Sequence, residues 1–136
     1  MGRVLGLDVG DRRIGIAVSD ETRLIASPHS VYTRVGWGPD VRFLAKLYQE
    51  LACDLVVSGL PRNMDGSEGF QAQKVRQFME KLQEAGLPVA FQDERLSTVS
   101  AHEALIAGSM RREERKGTVD KVAAAVILQQ YLDKNR

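Results

Sequence analysis

Three acidic positions stand out for chemistry. Asp8 interrupts the apolar run LGLDVG, Asp93 and Glu94 open the segment DERLST, and Asp120 leads into the alanine-rich stretch KVAAAVILQQYL. A carboxylate inside a strand is costly unless it is solvated near an edge, hydrogen-bonded by the following turn, or placed beside a cation. Acidic oxygens are the ligands that a hard divalent ion such as Mg²⁺ or Mn²⁺ prefers. Two such ions about 4 Å apart activate water on one side of a phosphate and stabilise the leaving oxygen on the other. Carboxylates crowded together also raise one another's pKa, and a cation relieves that conflict. Asp8, Glu94 and Asp120 are therefore candidate metal ligands and catalytic groups. Each also has a structural reading: Asp8 can accept backbone hydrogen bonds from the Gly10 to Arg12 turn, and Asp120 suits a helix N-terminus. Alternation along the strand sends one of Asp93 and Glu94 inward without choosing between them.

Other chemistries find little support. Ser58, Ser97 and Ser109 have no well-placed histidine, and His29 and His102 fall in a marginal strand and a short helix. The single cysteine, Cys53, excludes an internal disulfide and reads as a small core filler. With two histidines in the whole chain, a structural zinc site is not expected.

The elements that must position the acids follow from periodicity. RVLGLDV and RIGIAVSD read as two strands joined by a tight turn at Gly10-Asp11, and LIASPHSVYT as a weaker third, with Pro28 suited to a bulge or an edge. GPDVRFLAKLYQELAC carries Val41, Leu44, Ala45, Tyr48 and Leu51 on one helical stripe. DLVVSG is a buried strand, and LPRNMDGSEG a polar loop. A helix is expected from about Gly69 to Ala85, with Phe70, Val75, Phe78 and Leu82 inward and Gly86 ending it. LPVAFQDE is the fifth strand, followed by a short helix from Ser100 to Ala107. SMRREERKG reads as a charged connector, and the last helix as Val119 to about Leu132 with Thr118 as its N-cap. Strands alternating with helices after an opening meander predict an α/β fold with a mixed five-stranded sheet. In such folds the carboxyl ends of parallel strands form a crevice, where acids from three distant segments can meet.

The 136 residues suit one domain spanning 1–136, and 43% hydrophobic composition supports one substantial core. A formal charge of +1 points to no partner by itself, so a polyanion must meet a local patch. Arg12, Arg13, Arg62, Arg95, Arg111, Arg112, Arg115 and Lys116 are the cations able to touch a phosphate backbone around the crevice. Tyr32, Tyr48 and Tyr131 fall within apolar patterns and are assigned to packing. The start lacks the pattern of a secretion signal and no apolar stretch approaches a membrane span, so a soluble cytoplasmic protein without a membrane partner is expected.

LGLDVGDRRIGIAVSD, GLPRNMDGSEG, DERLST and VDKVAAAVILQQYL, in that order over nearly the whole chain, resemble the YqgF family, also described as RuvX-like or Holliday junction resolvase-like. The resemblance implies an RNase H-like fold and a metal-dependent nuclease that matures the 5′ end of precursor 16S ribosomal RNA, with pre-ribosomal particles as a setting. It maps the family's acids onto Asp8, Glu94 and Asp120. It also maps the basic residues of the first turn onto Arg12 and Arg13, and the polar loop onto Asn63, Asp65 and Gly66. The competing readings are a DNA junction resolvase and a noncatalytic nucleic-acid or ribosome-assembly factor. A sugar kinase or actin-like ATPase would need a second lobe, for which the chain has neither the length nor a repeat.

Overall fold

The apolar runs become strands and the 3.6-residue patterns become helices in a computed structural model, which describes residues 2–63, 65–93 and 112–135, with backbone alone for 112–118. The elements are β1 (Arg3–Val9), β2 (Arg13–Ser19), β3 (Ala26–Thr33), α1 (Trp37–Glu50), β4 (Cys53–Leu60), α2 (Phe70–Glu84), β5 (Val89–Asp93) and a last described helix, α3 (Arg112–Lys134). The five strands form one sheet in the order β3-β2-β1-β4-β5. The first three pair antiparallel, while β1 with β4 and β4 with β5 are parallel. This is the mixed sheet with an opening antiparallel meander that the sequence predicts. Pro28 lies on the edge strand β3, where the register with β2 slips between Ile16 and Ala17. An edge bulge is where proline's missing N–H does least harm.

β1 is buried on both faces, which is why it reads as a nearly unbroken apolar run. Leu5, Leu7 and Val9 point to the side of α1 and α2, joined there by Ile14, Ile16, Val56, Leu44, Val75, Phe78 and Leu82. On the other side Val4, Ala17 and Val57 pack against Ala124, Ala125, Leu128 and Leu132 of α3. Alternation puts Gly6 and Asp8 on this α3 side with Val4. α2 ends as expected: Gly86 has φ +96, its N–H donates to Gln83 O, and Leu87 N–H donates to Leu82 O, a Schellman arrangement with Leu82 and Leu87 both in the core.

Three expectations change. α3 is described from Arg112, so REERK (112–116) is helical instead of a connector and Thr118 is no N-cap. Arg, Glu and Lys are strong helix formers, and a helix turn lying beyond the core shows no apolar period. Phe70 is 74% exposed because it is the first residue of α2, after the N-cap Gly69. The helix expected over 100–107 lies outside the described residues, as does Glu94. No helix among the described residues is long and apolar enough to cross a membrane.

Candidate active site

Asp8 pairs across the antiparallel ladder with Gly15. Directly opposed residues project to the same face of a sheet, so whatever lies over Gly15 lies beside Asp8. That neighbour is Asp120: a Cβ placed on Gly15 would come within 1.9 Å of the Asp120 carbonyl oxygen. A Cβ on Gly6 would meet Leu128 Cβ at 2.8 Å. Two glycines on the α3 face thus let the helix backbone settle onto β1 and β2, and the closer contact sets Asp120 next to Asp8.

The electrostatics follow from this approach. The Asp8 carboxyl is pushed up to about 6, first by burial and then by the Asp120 charge. Among the described residues no hydrogen bond reaches the Asp8 carboxylate, so the Gly10 to Arg12 turn does not satisfy it as one reading allowed; Gly10 N–H instead donates to Arg13 O. Asp120 has a partner of its own: Arg13 Nε donates to its Oδ2 at 2.7 Å. Asp120 sits about two turns inside α3, so Arg13, and not the helix N-terminus, compensates its charge. Asp93 shares the strand face of Val89 and Phe91, which pack with the α1 and α2 core, opposite to the face of Asp8. Among the described residues no three His, Cys, Asp or Glu side chains cluster to hold a metal ion.

Of the remaining candidates, Arg12, Arg62 and Asn63 follow the carboxyl ends of the parallel strands β1 and β4. Arg12 is exposed on the β1–β2 turn and forms no ion pair among the described residues. Arg62 approaches Glu68 at 3.7 Å, and Glu68 also takes a bidentate pair from Arg76 at 2.6 and 2.8 Å. Asn63 is spent within its loop: its Nδ2 donates to Ser67 Oγ, and its backbone closes a turn with Gly66 and Ser67. Arg95 and Arg111, like Glu94, lie outside the described residues, and for Arg112 and Lys116 only the backbone is described.

Sequence reasoning missed a support under the turn. Asp40, in the first turn of α1, is fully buried and accepts from Tyr32 OH, Arg34 Nε and the amides of Val35 and Gly36. Burial alone would raise its carboxyl; the donors outweigh it and hold the group below the usual carboxylate range. Arg34 also donates to Gly10 O at 3.0 Å, and its guanidinium lies 4.8 Å from the Phe78 ring centre. Asp40 therefore fixes Arg34, which fixes the turn two residues after Asp8. An acid just after Pro39 at a helix start was the available signal. Cys53 and the tyrosines keep their packing roles: burial pushes the Cys53 thiol up to about 11, and Tyr32, Tyr48 and Tyr131 lie against the cores.

A β3-β2-β1-β4-β5 sheet with helices on both faces and an acidic pair near the carboxyl end of its central strand defines an RNase H-like α/β protein. Within that class the chain belongs to the family described as RuvX: Holliday junction resolvase, whose model matches residues 2–134. It is 48% identical over 132 residues to a Clostridium novyi protein named "Putative pre-16S rRNA nuclease", covering 96% of this chain and 98% of that one. A Paracoccus denitrificans protein of the same name is 48% identical over 136 residues, covering 99% and 86%. Among solved structures, Thermus thermophilus RuvC in complex with a Holliday junction substrate superposes with a TM-score of 0.62 at 16% identity, covering 99% of this chain and 96% of that one. The fowlpox virus resolvase with its junction DNA gives 0.57 at 12% identity, covering 98% of each chain. At these identities the structural likeness is one of fold.

Proposed function

We propose that the chain, acting as one domain over 1–136, is a divalent-metal-dependent nuclease that hydrolyses phosphodiesters of precursor 16S ribosomal RNA during maturation of its 5′ end. Cytoplasmic pre-ribosomal particles are the setting. The observation that carries the chemistry is Asp8: a half-buried carboxylate with no donor among the described residues, raised to about 6 and set beside a second acid. Such a group is poorly satisfied by protein alone and well suited to a hard cation. Asp8 and Asp120 would hold Mg²⁺ or Mn²⁺ with Glu94, the acid of DERLST left once Asp93 is placed on the opposite face. When bound, the ion supplies an acidified water and charge stabilisation at the phosphate. Arg13 orients Asp120 through Oδ2, leaving Oδ1 without that bond. Arg12, Arg62, Arg95, Arg111, Arg112 and Lys116 are the proposed backbone contacts, while Asn63, engaged within its loop, shapes the segment that carries Arg62. The substrate rests on the names of the curated relatives.

The test is digestion of precursor 16S RNA and of a four-way DNA junction by the parent and by D8N, E94Q and D120N, with cut ends mapped in Mg²⁺ and in EDTA. Metal-dependent RNA cleavage lost in all three variants is the expected result. Cleavage of the junction alone would move the assignment to a DNA resolvase, the activity given in the family's description. Full cleavage by folded D8N would remove Asp8 from the site.

A further inference from the structure

On the far side of the β1–β2 turn from α3, an open groove of about 400 Å³ is lined by Asp11, Arg34, Trp37, Lys74 and Gln77, among others. We propose that this groove binds an unpaired nucleotide of the RNA, its base stacked on Trp37; the inference rests on the nuclease reading above. Large aromatic side chains are normally buried, yet Trp37 keeps 46% of its surface open, beside Val35 at 78%. Its ring is nonetheless held in place, 6.2 Å from the Phe78 centroid and with the Arg34 guanidinium 5.8 Å from its own centre. A fixed, half-open aromatic surface is what sequence-tolerant stacking of single-stranded bases requires.

The charge at the rim selects the occupant. Lys74 lies 3.2 Å from Asp11 and 4.6 Å from the ring centre of Phe70, which is itself 74% exposed. Buried Asp40 is already matched by Arg34, and Lys74 is set against Asp11, so the lining itself is charge-balanced. Arg12, the neighbour of Asp11 on the turn, is exposed without an ion pair among the described residues and is the cation left to meet a phosphate there, which favours an anionic strand over an apolar peptide. Position favours the same strand that reaches the acids. Asp11 is three residues after Asp8, at most ~11 Å along the chain, and Arg34 ties the groove wall to the turn through Gly10 O. A single strand crossing the turn from Asp8 enters the groove, whereas a duplex keeps its bases paired and cannot offer one to Trp37.

Trp37 is the only tryptophan in the chain, so its emission reports the groove directly. The parent protein in EDTA, where the proposed cleavage is off, is titrated with a single-stranded oligouridylate labelled for anisotropy and with an RNA duplex of equal charge. Saturable quenching by the single strand, tracking anisotropy and weak for the duplex, is expected. W37A should weaken single-strand affinity by roughly 5- to 100-fold, with W37F retaining most of it. K74E should weaken it as well and covers the case in which W37A does not fold. Single-strand binding with unchanged emission, or with W37A or K74E as tight as the parent, overturns the groove and leaves the nuclease reading intact. Binding of no RNA or DNA at all overturns both. Emission that changes with protein concentration alone identifies a second copy of the chain as the occupant, and also overturns it.

Discussion

Asp8 is destabilising by itself, and that is measurable without any substrate. A carboxyl raised from 3.8 to about 6 holds its proton in the fold where the unfolded chain has released it. The native state binds more protons between these values, so stability falls as pH rises through that window and the penalty is complete above about 6. The penalty amounts to at most about 3 kcal/mol. In EDTA, D8N should therefore unfold at higher denaturant than the parent at pH 8, by roughly 1–3 kcal/mol, and the two should converge toward pH 4. A parent that matches D8N at pH 8 would mean that Asp8 is satisfied within the protein and is no cation ligand in waiting. Asp40 has the opposite sign. Its carboxyl is held below the usual range, so the stability it contributes is present above the unfolded pKa and is lost as pH falls through the folded one. D40A, which leaves the Arg34 guanidinium without its anion at 18% exposure, should cost about 3–5 kcal/mol at pH 7. D40N keeps an acceptor for Tyr32 and the two amides and should cost less, about 1–3 kcal/mol; equal losses in a urea titration would show that packing, not charge, sustains the turn.

At the scale of elements, the site depends on how closely α3 lies on β1 and β2. G15A places a methyl group 1.9 Å from a backbone oxygen, which can be relieved only by moving the helix. G6A meets the Leu128 side chain at 2.8 Å, a clash that repacking partly absorbs. Overpacking of the second kind costs about 1–3 kcal/mol. G15A should exceed it, and any G15A protein that still folds should lose cleavage because Asp120 no longer faces Asp8; comparing ΔG of unfolding and turnover for the two variants checks both statements. The strands that receive α3 were legible in sequence, since β1, β2 and β4 carry their burial as apolar runs and Gly86 and Pro28 mark a helix end and an edge. The start of α3 was not, because a charged helical turn has propensity but no periodicity. The Arg13–Asp120 pair spans 107 residues, and the Asp40 cage draws donors from four positions in β3 and the segment that follows. Local pattern cannot encode either: Asp120 stands out in sequence as an acid ahead of an alanine-rich helix, but the partner that neutralises it is a product of the fold.

For the molecule as a whole, 19 basic and 18 acidic residues leave a net charge of +1, and much of that charge is already paired. Arg13 is held by Asp120, Arg34 by Asp40, Arg76 by Glu68 and Lys74 by Asp11. The attraction for RNA must then come from cations outside these pairs, which makes it divisible residue by residue. Each phosphate contact on a single strand contributes about 0.7 to the slope of log K against log salt. Arg12, exposed and without an ion pair among the described residues, should account for one such step: R12A lowers the slope by about 0.7 while RNA already bound is still cleaved. Neutralising Arg111 and Arg112 together should lower it further. R13A should behave differently, leaving the slope nearly unchanged but slowing cleavage, because the charge it removes belongs to Asp120 rather than to the RNA. Anisotropy titrations at several salt concentrations, paired with single-turnover cleavage, separate the two effects. A drop of about 0.7 in the R13A slope would mean that Arg13 leaves Asp120 for a phosphate in the complex, and that the second acid reaches the cation without a protein counter-charge.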